Sequence, residues 1–529
     1  MDSAHEMLHD DPIALRAFAV AMRAELSCLK QQLDAERAEK QRLAEQNARL
    51  EHLLSQLRRM HFGKRSEKLD PDQMNLAFED VEQAVAQAAA QSERADPAAR
   101  KAASARRRKE RGSLPPHLPR IDVVIAPESS ACPCCGGAMH VIGEDQSQRL
   151  DVIPAQYRVI VTHRPKYACR ACEGTVVQAA APARLIEGGL PTEALVASVL
   201  VAKYADHAPL YRQAQMLARQ GIEIDRSTLA FWVGYAAAEL KPLWRLMRDA
   251  LLGSTKIFVD ETTVPVLDPG RGRTKTGYLW GIARDDRPWG GGDPPAVVYT
   301  YAPGRGAKHA NTLLAGFRGV LQADGYRVYK TFALTHEAVT VAHCWAHARR
   351  HFFDVAKGGH APIADEALKR IARLYEIEAE IRGHGAELRK AVRQEKARPL
   401  VEALKAWCQA KLSEVSGKSM IADAIRYALN QWDGLVRFLD DGRIEIDSNA
   451  VERSMRPIAL NRKNALFAGH DEGGETWAVM ASLIETCKLN AVNPTAYLTD
   501  VLTKLVNNWP NGRLAELTPW AWAADNKAA

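Results

Sequence analysis

The sequence predicts a multidomain α/β protein, and three observations support this fold class. At 529 residues the chain is too long for one hydrophobic core, so several domains are expected. Residues 13–60 carry the heptad pattern of a coiled coil, whereas residues 254–355 combine β-prone runs with a helical segment. Between these regions, paired cysteines predict a small metal-stabilised domain. The hydrophobic content of 47% and the charged content of 26% are ordinary for soluble globular proteins.

Neither membrane insertion nor secretion is predicted. The longest largely apolar stretch, residues 194–202, is far shorter than a membrane span. The N-terminus lacks the basic-then-apolar order of a secretory signal. Nine cysteines, an odd number, argue against a disulfide framework. A cytoplasmic protein is therefore expected, and its net charge of +7 is too modest on its own to predict a nucleic-acid partner.

The predicted coiled coil, residues 13–60, has a seam of mostly apolar residues. One core position carries Leu26, Leu33, Lys40, Asn47 and Leu54, and the other carries Met22, Leu29, Glu36, Leu43, Leu50 and Leu57. Because a 3.5-residue repeat leaves such a seam exposed on an isolated helix, the seam needs a partner. Leucine at the second position and one core asparagine favour a parallel homodimer, or a larger oligomer built on it. The alternative is a helix that packs against the protein's own body.

Basic residues dominate the next segment, residues 61–120. Low complexity, clustered arginines and prolines predict a flexible basic linker, most clearly over residues 90–120. Such a linker can contact DNA phosphates without recognising a base sequence. A solvated linker without a partner is the alternative.

The segment 121–180 is predicted to be a zinc ribbon. Two C-x-x-C pairs, separated by an alternating strand-like stretch, supply the expected ligands Cys132, Cys135, Cys169 and Cys172. Four thiolates around a tetrahedral Zn²⁺ leave no open position, so one structural zinc ion is expected. Cys134 is expected to be a spectator, although it could exchange with a ligand. Redox chemistry of the cysteines is the alternative.

Residues 190–252 are predicted to be helical and to include a helix-turn-helix. The turn contains Gly221, and Asp225 is the expected N-cap of the second helix. The first residues of a recognition helix meet base edges, which makes DNA-contact candidates of Arg226, Ser227 and Thr228. A helical hairpin that only supports the next domain is the alternative.

Three acidic residues carry the predicted chemistry. Asp260 and Asp324 each end a β-prone run, and Glu452 lies in a helix-like stretch with basic residues after it. Two strand-end aspartates and a helical glutamate can converge on hard oxygen ligands for Mg²⁺ or Mn²⁺. Two such ions, roughly 3.5–4 Å apart, suit phosphodiester cleavage. The alternative is that the carboxylates only meet solvent at the ends of strands.

The order of predicted elements around these acids divides the domain. The predicted strands are Ile257–Asp260, Tyr278–Ala283, Ala296–Tyr301, Gly319–Ala323 and Thr340–Trp345. A helix is predicted for Ala307–Phe317. The segment 356–440 is helical and strongly charged, so we expect it to be an insertion between residues 254–355 and 441–490 of one domain. Residues 491–529 form a C-terminal segment.

Several motifs resemble the insertion sequence 66 family of transposases. They include Phe62-Gly-Lys-Arg65, the cysteine pairs, Cys344-Trp-Ala-His-Ala-Arg349-Arg350 and Asp447-Ser-Asn-Ala-Val-Glu452-Arg453. The resemblance covers nearly the whole chain and implies a ribonuclease-H-like catalytic core, which the order of predicted strands also matches. On the matching positions the acidic triad is Asp260, Asp324 and Glu452. Ser448 departs from the family's usual asparagine without replacing a carboxylate.

The resemblance also implies activity and partners. Such an enzyme cleaves DNA at the terminal inverted repeats of its element and joins the 3′-hydroxyl ends to target DNA, acting at the nucleoid. Two small accessory proteins often accompany it. The expected phosphate contacts are Arg349, Arg350, Arg453, Arg456 and Lys463, with solvated charges as the alternative. His347 is either an acid–base helper or a packed histidine. Two other functions remain open: a metal-dependent nuclease that does not join DNA, and an inactive zinc-ribbon DNA-binding regulator.

Overall fold

The computed structural model describes residues 16, 18, 20–34, 36, 37 and 41, and residues 71–527 except 117, 154, 155, 172, 173, 269–271, 358 and 359. Residues 20–34 are helical, and four predicted seam residues in this stretch are exposed: Met22, Leu26, Leu29 and Leu33. The seam positions 40, 43, 47, 50, 54 and 57 lie outside the described residues. The coiled coil therefore stays a prediction.

Two N-terminal helices, α1 (Pro71–Ala95) and α2 (Pro97–Glu110), occupy much of the predicted linker. α1 buries alanines at 84, 86, 88 and 90, and it packs against α5 (Arg226–Leu252). A Cβ added at Gly234 of α5 would lie 2.1 Å from the Gln83 carbonyl oxygen, so the two backbones touch. Arg107 of α2 forms a bidentate ion pair with Glu93 at 2.7 and 2.8 Å. The prediction of a flexible linker is wrong for residues 90–110, because these residues are helical. Buried alanines hold α1 against the protein, and the Arg107–Glu93 ion pair holds α2 against α1.

The cysteine-bearing region forms a small four-stranded sheet. Its strands are β1 (Arg120–Val124), β2 (His140–Ile153), β3 (Gln156–Ala168) and β4 (Val176–Gln178). The order is β1-β3-β2, and β4 also pairs with β3. The strand-like stretch between the cysteine pairs is thus the central strand, β3.

Helices α3 (Glu193–Tyr204), α4 (Leu210–Ala218) and α5 follow this sheet. Gly221 has a φ of +74°, a backbone conformation that glycine adopts without strain, in the turn between α4 and α5. α5 is buried along most of its length, and Trp244 donates its indole N–H to the Tyr299 carbonyl at 2.9 Å. The helical pair therefore supports the next domain through one continuous hydrophobic core.

A five-stranded mixed sheet forms the centre of the protein. Its strands are β5 (Lys256–Val266), β6 (Lys275–Arg284), β7 (Ala296–Ala302), β8 (Gly319–Ala323) and β9 (Val339–His343). The order is β7-β6-β5-β8-β9; β7, β6 and β5 are antiparallel, whereas β5, β8 and β9 are parallel. Helices α6 (Ala307–Leu313) and α7 (Arg327–Leu334) connect the strands.

Two expectations about this sheet need correction. Asp260 lies inside β5 rather than at its end, because β5 continues to Val266 as the partner of β6. Trp345 is not the end of the last strand; it begins helix α8 (Trp345–Ala356). Its indole N–H donates to the Leu435 carbonyl at 2.9 Å, which fixes the start of α8.

The predicted insertion is helical. It contains α9 (Pro362–Glu380), α10 (Ala386–Val392), a π-helical turn (Arg393–Ala397), α11 (Arg398–Glu414), α12 (Met420–Asn430) and α13 (Trp432–Leu435). These helices and α8 share a second hydrophobic cluster. Within it, buried Arg393 forms an ion pair with Glu378 at 2.6 Å, and buried Arg389 pairs with Glu445 at 2.7 Å. The second pair joins the insertion to the chain that returns to the central domain.

Four helices complete the fold: α14 (Asn449–Ala465), α15 (Asp471–Leu489), α16 (Pro494–Val506) and α17 (Pro519–Lys527). α14 packs against β5 and β6, and the nearly fully buried α15 packs against β7. Among the helices described, none combines the length and apolarity needed to cross a membrane.

Candidate active site

The two aspartates lie level with each other on neighbouring strands. β5 and β8 are parallel, and their last paired residues are Phe258 and Gln322. Asp260 follows two residues later within β5, and Asp324 follows two residues later, just after β8 ends. Because side chains alternate between the two faces of a sheet, both carboxylates emerge at the same height on the same face.

A glycine allows the helix that carries Glu452 to approach this face. Gly281 of β6 pairs with Asp260, and a Cβ at Gly281 would lie 2.8 Å from the Met455 sulfur of α14. A larger residue there would force the Met455 side chain of α14 to shift. Beyond α14 the chain returns to β5, where the Ala468 amide donates to the Pro265 carbonyl at 2.8 Å.

The segment that leads into α14 is held by β8. The Gln322 side-chain amide donates to the Glu445 carbonyl at 2.7 Å and to the Asp447 carbonyl at 3.1 Å. Its amide oxygen accepts from the Glu445 backbone N–H at 3.1 Å. Gln322 is fully buried and lies two residues before Asp324. The strand that delivers one acid of the predicted triad thus also fixes the approach of the helix that delivers another.

Burial and neighbouring acids perturb Asp260. Burial, the largest cause, and the charges of Asp324 and Glu452 together raise the pKa of Asp260 from 3.8 to about 7. A hydrogen bond from the Glu261 amide, 2.9 Å long, and the Arg350 guanidinium act in the opposite direction on this pKa. The three predicted acids therefore share one electrostatic environment, in which a divalent cation would relieve their repulsion.

A fourth acid, Glu261, was missed by sequence reasoning. The pKa of Glu261 is raised to about 7, mainly by burial and further by the charges of Asp324 and Asp260, against the lowering effect of a hydrogen bond from Tyr329. The buried Tyr329 hydroxyl donates to Glu261 Oε2 at 2.5 Å. The available signal was the adjacent Asp-Glu pair on an apolar strand, of which only the aspartate was chosen.

Glu452 has separate surroundings at its two oxygens. Oε1 accepts a hydrogen bond from the Ser448 hydroxyl at 3.1 Å, and it lies 3.5 Å from His347 Nδ1 and 3.8 Å from Cys344 Sγ. Oε2 lies 3.9 Å from an Arg350 guanidinium nitrogen. Ser448, the departure from the family pattern, thus contacts the glutamate directly.

Ligand atoms converge in two groups in the part of the chain that the structure describes. One group contains Cys132, Cys135 and Cys169, and the other contains Cys344, His347 and Glu452; within each group the ligand atoms lie within 4.8 Å of one another. The predicted triad does not meet this 4.8 Å criterion. Glu452 Oε1 instead lies close to Cys344 and His347.

The residues predicted to contact phosphates lie in different places relative to the three acids. Arg349, Arg350, Arg453, Arg456 and Lys463 are all exposed, and α14 continues past Pro457 to Ala465. Arg350 forms an ion pair with Glu452 Oε2 at 3.9 Å. Its side chain is 63% exposed, so it can turn toward a ligand. Arg453 instead lines a cavity of about 230 Å³ together with Asp285 and Lys488.

The start of α5 lies beside the basic helix α2. Arg226 is engaged by Glu82, with an ion pair of 3.3 Å, and Asp225 occupies the N-cap position without a side-chain hydrogen bond. Ser227 and Thr228 line a cavity of about 440 Å³ whose other wall includes Arg106, Arg107 and Arg111. At this cavity only the first turn of α5 is accessible, because residues 229–240 that follow are mostly buried.

Three arginines, Arg106, Arg107 and Arg111, and three acids, Glu110, Glu223 and Asp225, line this cavity. Near Arg111, burial and the charges of Arg149, Arg111 and Arg108 together lower the pKa of Arg184 to about 10. Glu187 acts in the opposite direction on this pKa. Concentrated positive charge of this kind attracts anions.

The paired cysteines form a turn-stabilised cluster. Cys132 and Cys169 are buried, and Cys135 Sγ lies 3.6 Å from Cys169 Sγ. Gly136 adopts a φ of +71° and donates its N–H to the Cys132 carbonyl at 2.9 Å, which closes the knuckle. Cys172 lies outside the described residues. Cys134 is exposed with Sγ 3.0 Å from Cys132 Sγ, so its predicted spectator role stays a prediction. The cluster suits a structural zinc ion.

Four family profiles match the chain. "Transposase IS66 family" matches residues 188–476, and "zinc-finger binding domain of transposase IS66" matches residues 129–173. "Transposase C of IS166 homeodomain" matches residues 49–123, and "IS66 C-terminal element" matches residues 482–520. The first profile alone spans more than half of the chain.

Similar full-length proteins occur in Sinorhizobium fredii (strain NBRC 101917 / NGR234). The uncharacterized protein y4qI is 44% identical over 535 residues, covering 98% of this chain and 98% of its own. The uncharacterized protein y4jD is 48% identical over 480 residues, covering 89% of this chain and 93% of its own. The uncharacterized protein y4hP is 38% identical over 500 residues, covering 89% of this chain and 88% of its own.

Proposed function

The chain belongs to the IS66 family of transposases, and we propose that it cleaves DNA at the ends of an insertion sequence and joins the 3′-hydroxyl ends to target DNA. The observation that carries this proposal is the level arrangement of Asp260 and Asp324 on adjacent parallel strands, beside the helix that bears Glu452. Two-metal phosphoryl transfer uses carboxylates gathered in this way to hold the ions at the scissile phosphate.

We also propose that the central domain is a ribonuclease-H-like core. Its support is the sheet, in which three antiparallel strands lead into two parallel strands in the order β7-β6-β5-β8-β9. The insertion α9–α13 would then separate the last strand from the helix that bears the third acid. Long insertions at such a connection add little loop-closure entropy.

Asp260, Asp324 and Glu452 fit Mg²⁺ or Mn²⁺, because all their donor atoms are carboxylate oxygens. When bound, a pair of these ions would supply an activated water and stabilise the leaving oxygen. Burial and the charges of Asp324 and Glu452 raise the pKa of Asp260, and a bound cation would offset both effects. Glu261 would reinforce the negative potential from beside the triad.

Other residues would position the DNA at this site. Arg350 would exchange its contact with Glu452 for a phosphate oxygen next to the scissile bond, and exposed Arg349, Arg456 and Lys463 would hold flanking phosphates. His347 remains an acid–base candidate, because its Nδ1 is buried and makes no hydrogen bond within the described structure.

We propose a second DNA contact along α2 and the first turn of α5. Arg106 and Arg111 would hold backbone phosphates, and Ser227 and Thr228 line the same cavity. Arg184 would add positive charge near Arg111. The logarithm of the DNA association constant falls linearly with the logarithm of the salt concentration, by roughly 0.9 for each phosphate contact. Replacement of Arg106 and Arg111 by alanine should therefore make this slope less steep by about 2. Lys418→Ala, an exposed change in the insertion, is the matched control. An unchanged slope would contradict this contact.

The main test is cleavage of DNA that carries the element's ends. Asp324→Asn and Glu452→Gln should abolish Mg²⁺-dependent nicking and strand transfer but retain DNA binding, because affinity comes from lysine and arginine contacts elsewhere. Asp249→Asn, an exposed residue at the end of α5, is the control and should keep full activity. Normal cleavage by either triad variant would contradict the assignment of that residue.

The same assay separates the alternative functions. Nicked products that are never joined to target DNA would identify a nuclease without strand transfer. Specific binding without any cleavage, under Mg²⁺ and Mn²⁺ and with companion proteins added, would identify a DNA-binding regulator.

Two ends must meet during transposition, so we propose that the N-terminal helix forms a homodimer or larger oligomer. Deletion of residues 1–60 should lower the molar mass measured by light scattering. An unchanged mass would mean that the exposed seam of residues 22–33 is not the oligomer contact.

We further propose that Cys132, Cys135, Cys169 and Cys172 hold one structural zinc ion. Cys135→Ser combined with Cys169→Ser should remove that ion in elemental analysis. Retention of the ion in this double variant would exclude the assignment.

A further inference from the structure

A second group of possible metal ligands lies beside the candidate active site. Cys344 precedes α8, His347 lies in its first turn, and Glu452 lies in the first turn of α14. Their ligand atoms are all within 4.8 Å of one another. Cys344 is 2% exposed, and His347 Nδ1 is a buried nitrogen without a hydrogen bond in the described structure. A thiol, an imidazole nitrogen and a carboxylate at one point differ from the oxygen-only triad.

The distances match those of ligands around one tetrahedral zinc ion. Bonds of 2.3 Å to sulfur and about 2.1 Å to nitrogen and oxygen, at the tetrahedral angle, separate sulfur from oxygen by about 3.6 Å and nitrogen from oxygen by about 3.4 Å. The observed separations from Glu452 Oε1 are 3.8 Å to Cys344 Sγ and 3.5 Å to His347 Nδ1. Small shifts of side chains would therefore complete three zinc bonds.

Ser448 orients two of these three ligands. Its backbone N–H donates to Cys344 Sγ at 3.2 Å, and its hydroxyl donates to Glu452 Oε1 at 3.1 Å. Contacts of this kind hold metal ligands in position. A sulfur, an imidazole nitrogen and an oriented carboxylate oxygen therefore face one another.

We propose that Cys344, His347 and Glu452 form a binding site for a borderline-soft divalent cation, with Zn²⁺ as the preferred ion and the fourth position open. Cys344 would bind as the thiolate and release its proton to solvent. Thiolate and imidazole ligands favour zinc over magnesium, which separates this site from the oxygen-ligated triad.

Occupation of this site would inhibit the enzyme. Because Glu452 is shared, a zinc ion on Oε1 would withdraw that carboxylate from the catalytic ions; this consequence rests on the proposed function. Micromolar free zinc would then suppress cleavage that magnesium supports. The binding itself rests only on the three ligands and is measurable without DNA.

The test counts metal ions per chain after equilibration with buffered free Zn²⁺. The wild type should bind two ions, one in the cysteine ribbon and one at this site. Cys344→Ser and His347→Ala should each bind one, whereas Cys408→Ser, which changes a buried cysteine in α11, should bind two. Added Co²⁺ should give a thiolate-to-cobalt charge-transfer band in the zinc-ribbon protein that Cys344→Ser lacks. Ser448→Ala should weaken the zinc affinity of the Cys344–His347–Glu452 site about 10-fold.

Each outcome decides the proposal. A wild type that binds only one zinc ion, or a Cys344→Ser variant that still binds two, would overturn it. His347→Ala guards against misfolding of the cysteine variant, because His347 is partly exposed. Zinc binding without inhibition of cleavage would retain the site and reject its regulatory consequence. A protein that binds two ions but never cleaves DNA would reject the proposed function and keep the site.

Discussion

Replacement of Asp260 by asparagine should stabilise the metal-free protein. The folded carboxyl has a pKa of about 7, raised by burial and by its acidic neighbours from an ordinary value of 3.8. A carboxyl whose pKa is raised on folding favours the protonated form in the folded state. Its ionisation therefore costs stability as pH rises from about 4 to about 7, and the cost is constant above that. Asparagine carries no charge and can still accept the hydrogen bond from the Glu261 amide.

The size of the effect follows from the shift. Three pKa units correspond to about 4 kcal/mol at pH 8, and the same shift costs about 1.5 kcal/mol at pH 5. Asp260 is partly accessible, so solvent screening makes these upper values. The effect of the carboxylate alone is the increase in the variant's stability advantage over the wild type between pH 5 and pH 8. This increase is up to about 2.5 kcal/mol.

Urea unfolding in magnesium-free buffer measures this quantity, with no chelator present so that ribbon zinc is retained. Asp260→Asn should have the higher midpoint, by more at pH 8 than at pH 5. Asp225→Asn, an exposed change at the N-cap of α5, should show no such pH-dependent gain. Added Mg²⁺ should narrow the gap by stabilising the wild type. Equal midpoints at pH 8, or a gap that does not grow with pH, would refute this account of the site.

Three further predictions concern the fold and its electrostatics. Gly234→Ala should lower the free energy of unfolding by about 1–3 kcal/mol in urea titrations, because its Cβ would meet the Gln83 carbonyl of α1. An unchanged midpoint would mean that α1 does not dock there. Tyr329→Phe should cost about 1.5–3 kcal/mol at pH 8, where Glu261 is ionised, but less at pH 6, where the carboxyl is protonated. Equal losses at both pH values would contradict the raised pKa of Glu261. Gly281→Val should reduce DNA cleavage at least tenfold while DNA binding in gel-shift assays persists, because the valine would displace Met455 on the helix that bears Glu452. Normal cleavage would contradict a role of this close contact in placing Glu452.

Motifs with fixed chemistry were accessible from the sequence. The cysteine pairs predicted the ligand cluster, and three of those cysteines converge. Apolar runs ending on acids predicted that Asp260 and Asp324 belong together. Parallel pairing of β5 with β8 places residues at equal distances along the two strands side by side. The extent of β5 was not predictable in this way, since its last residues are specified by pairing with β6.

Packing across long sequence distances was much less accessible. The α1–α5 contact depends on alanines that meet a glycine far along the chain, whereas the local composition of that segment resembles a linker. Glu261 becomes notable only because Tyr329 and Asp324 converge on it. The arrangement of Cys344, His347 and Glu452 likewise depends on how two helices meet, which no spacing within one motif encodes.

The helical insertion has a consequence for synthesis of the enzyme. Because the insertion lies between β9 and α14, a ribosome completes the sheet with both aspartates, and then all of α9–α13, before it adds Glu452. Domains fold as units from the N-terminus during translation. A chain that stalls within the insertion would therefore carry a zinc ribbon and two aspartates but no third acid. On the proposed mechanism, truncated products can occupy DNA but cannot cut it, so the insertion delays nuclease activity until the polypeptide is nearly complete.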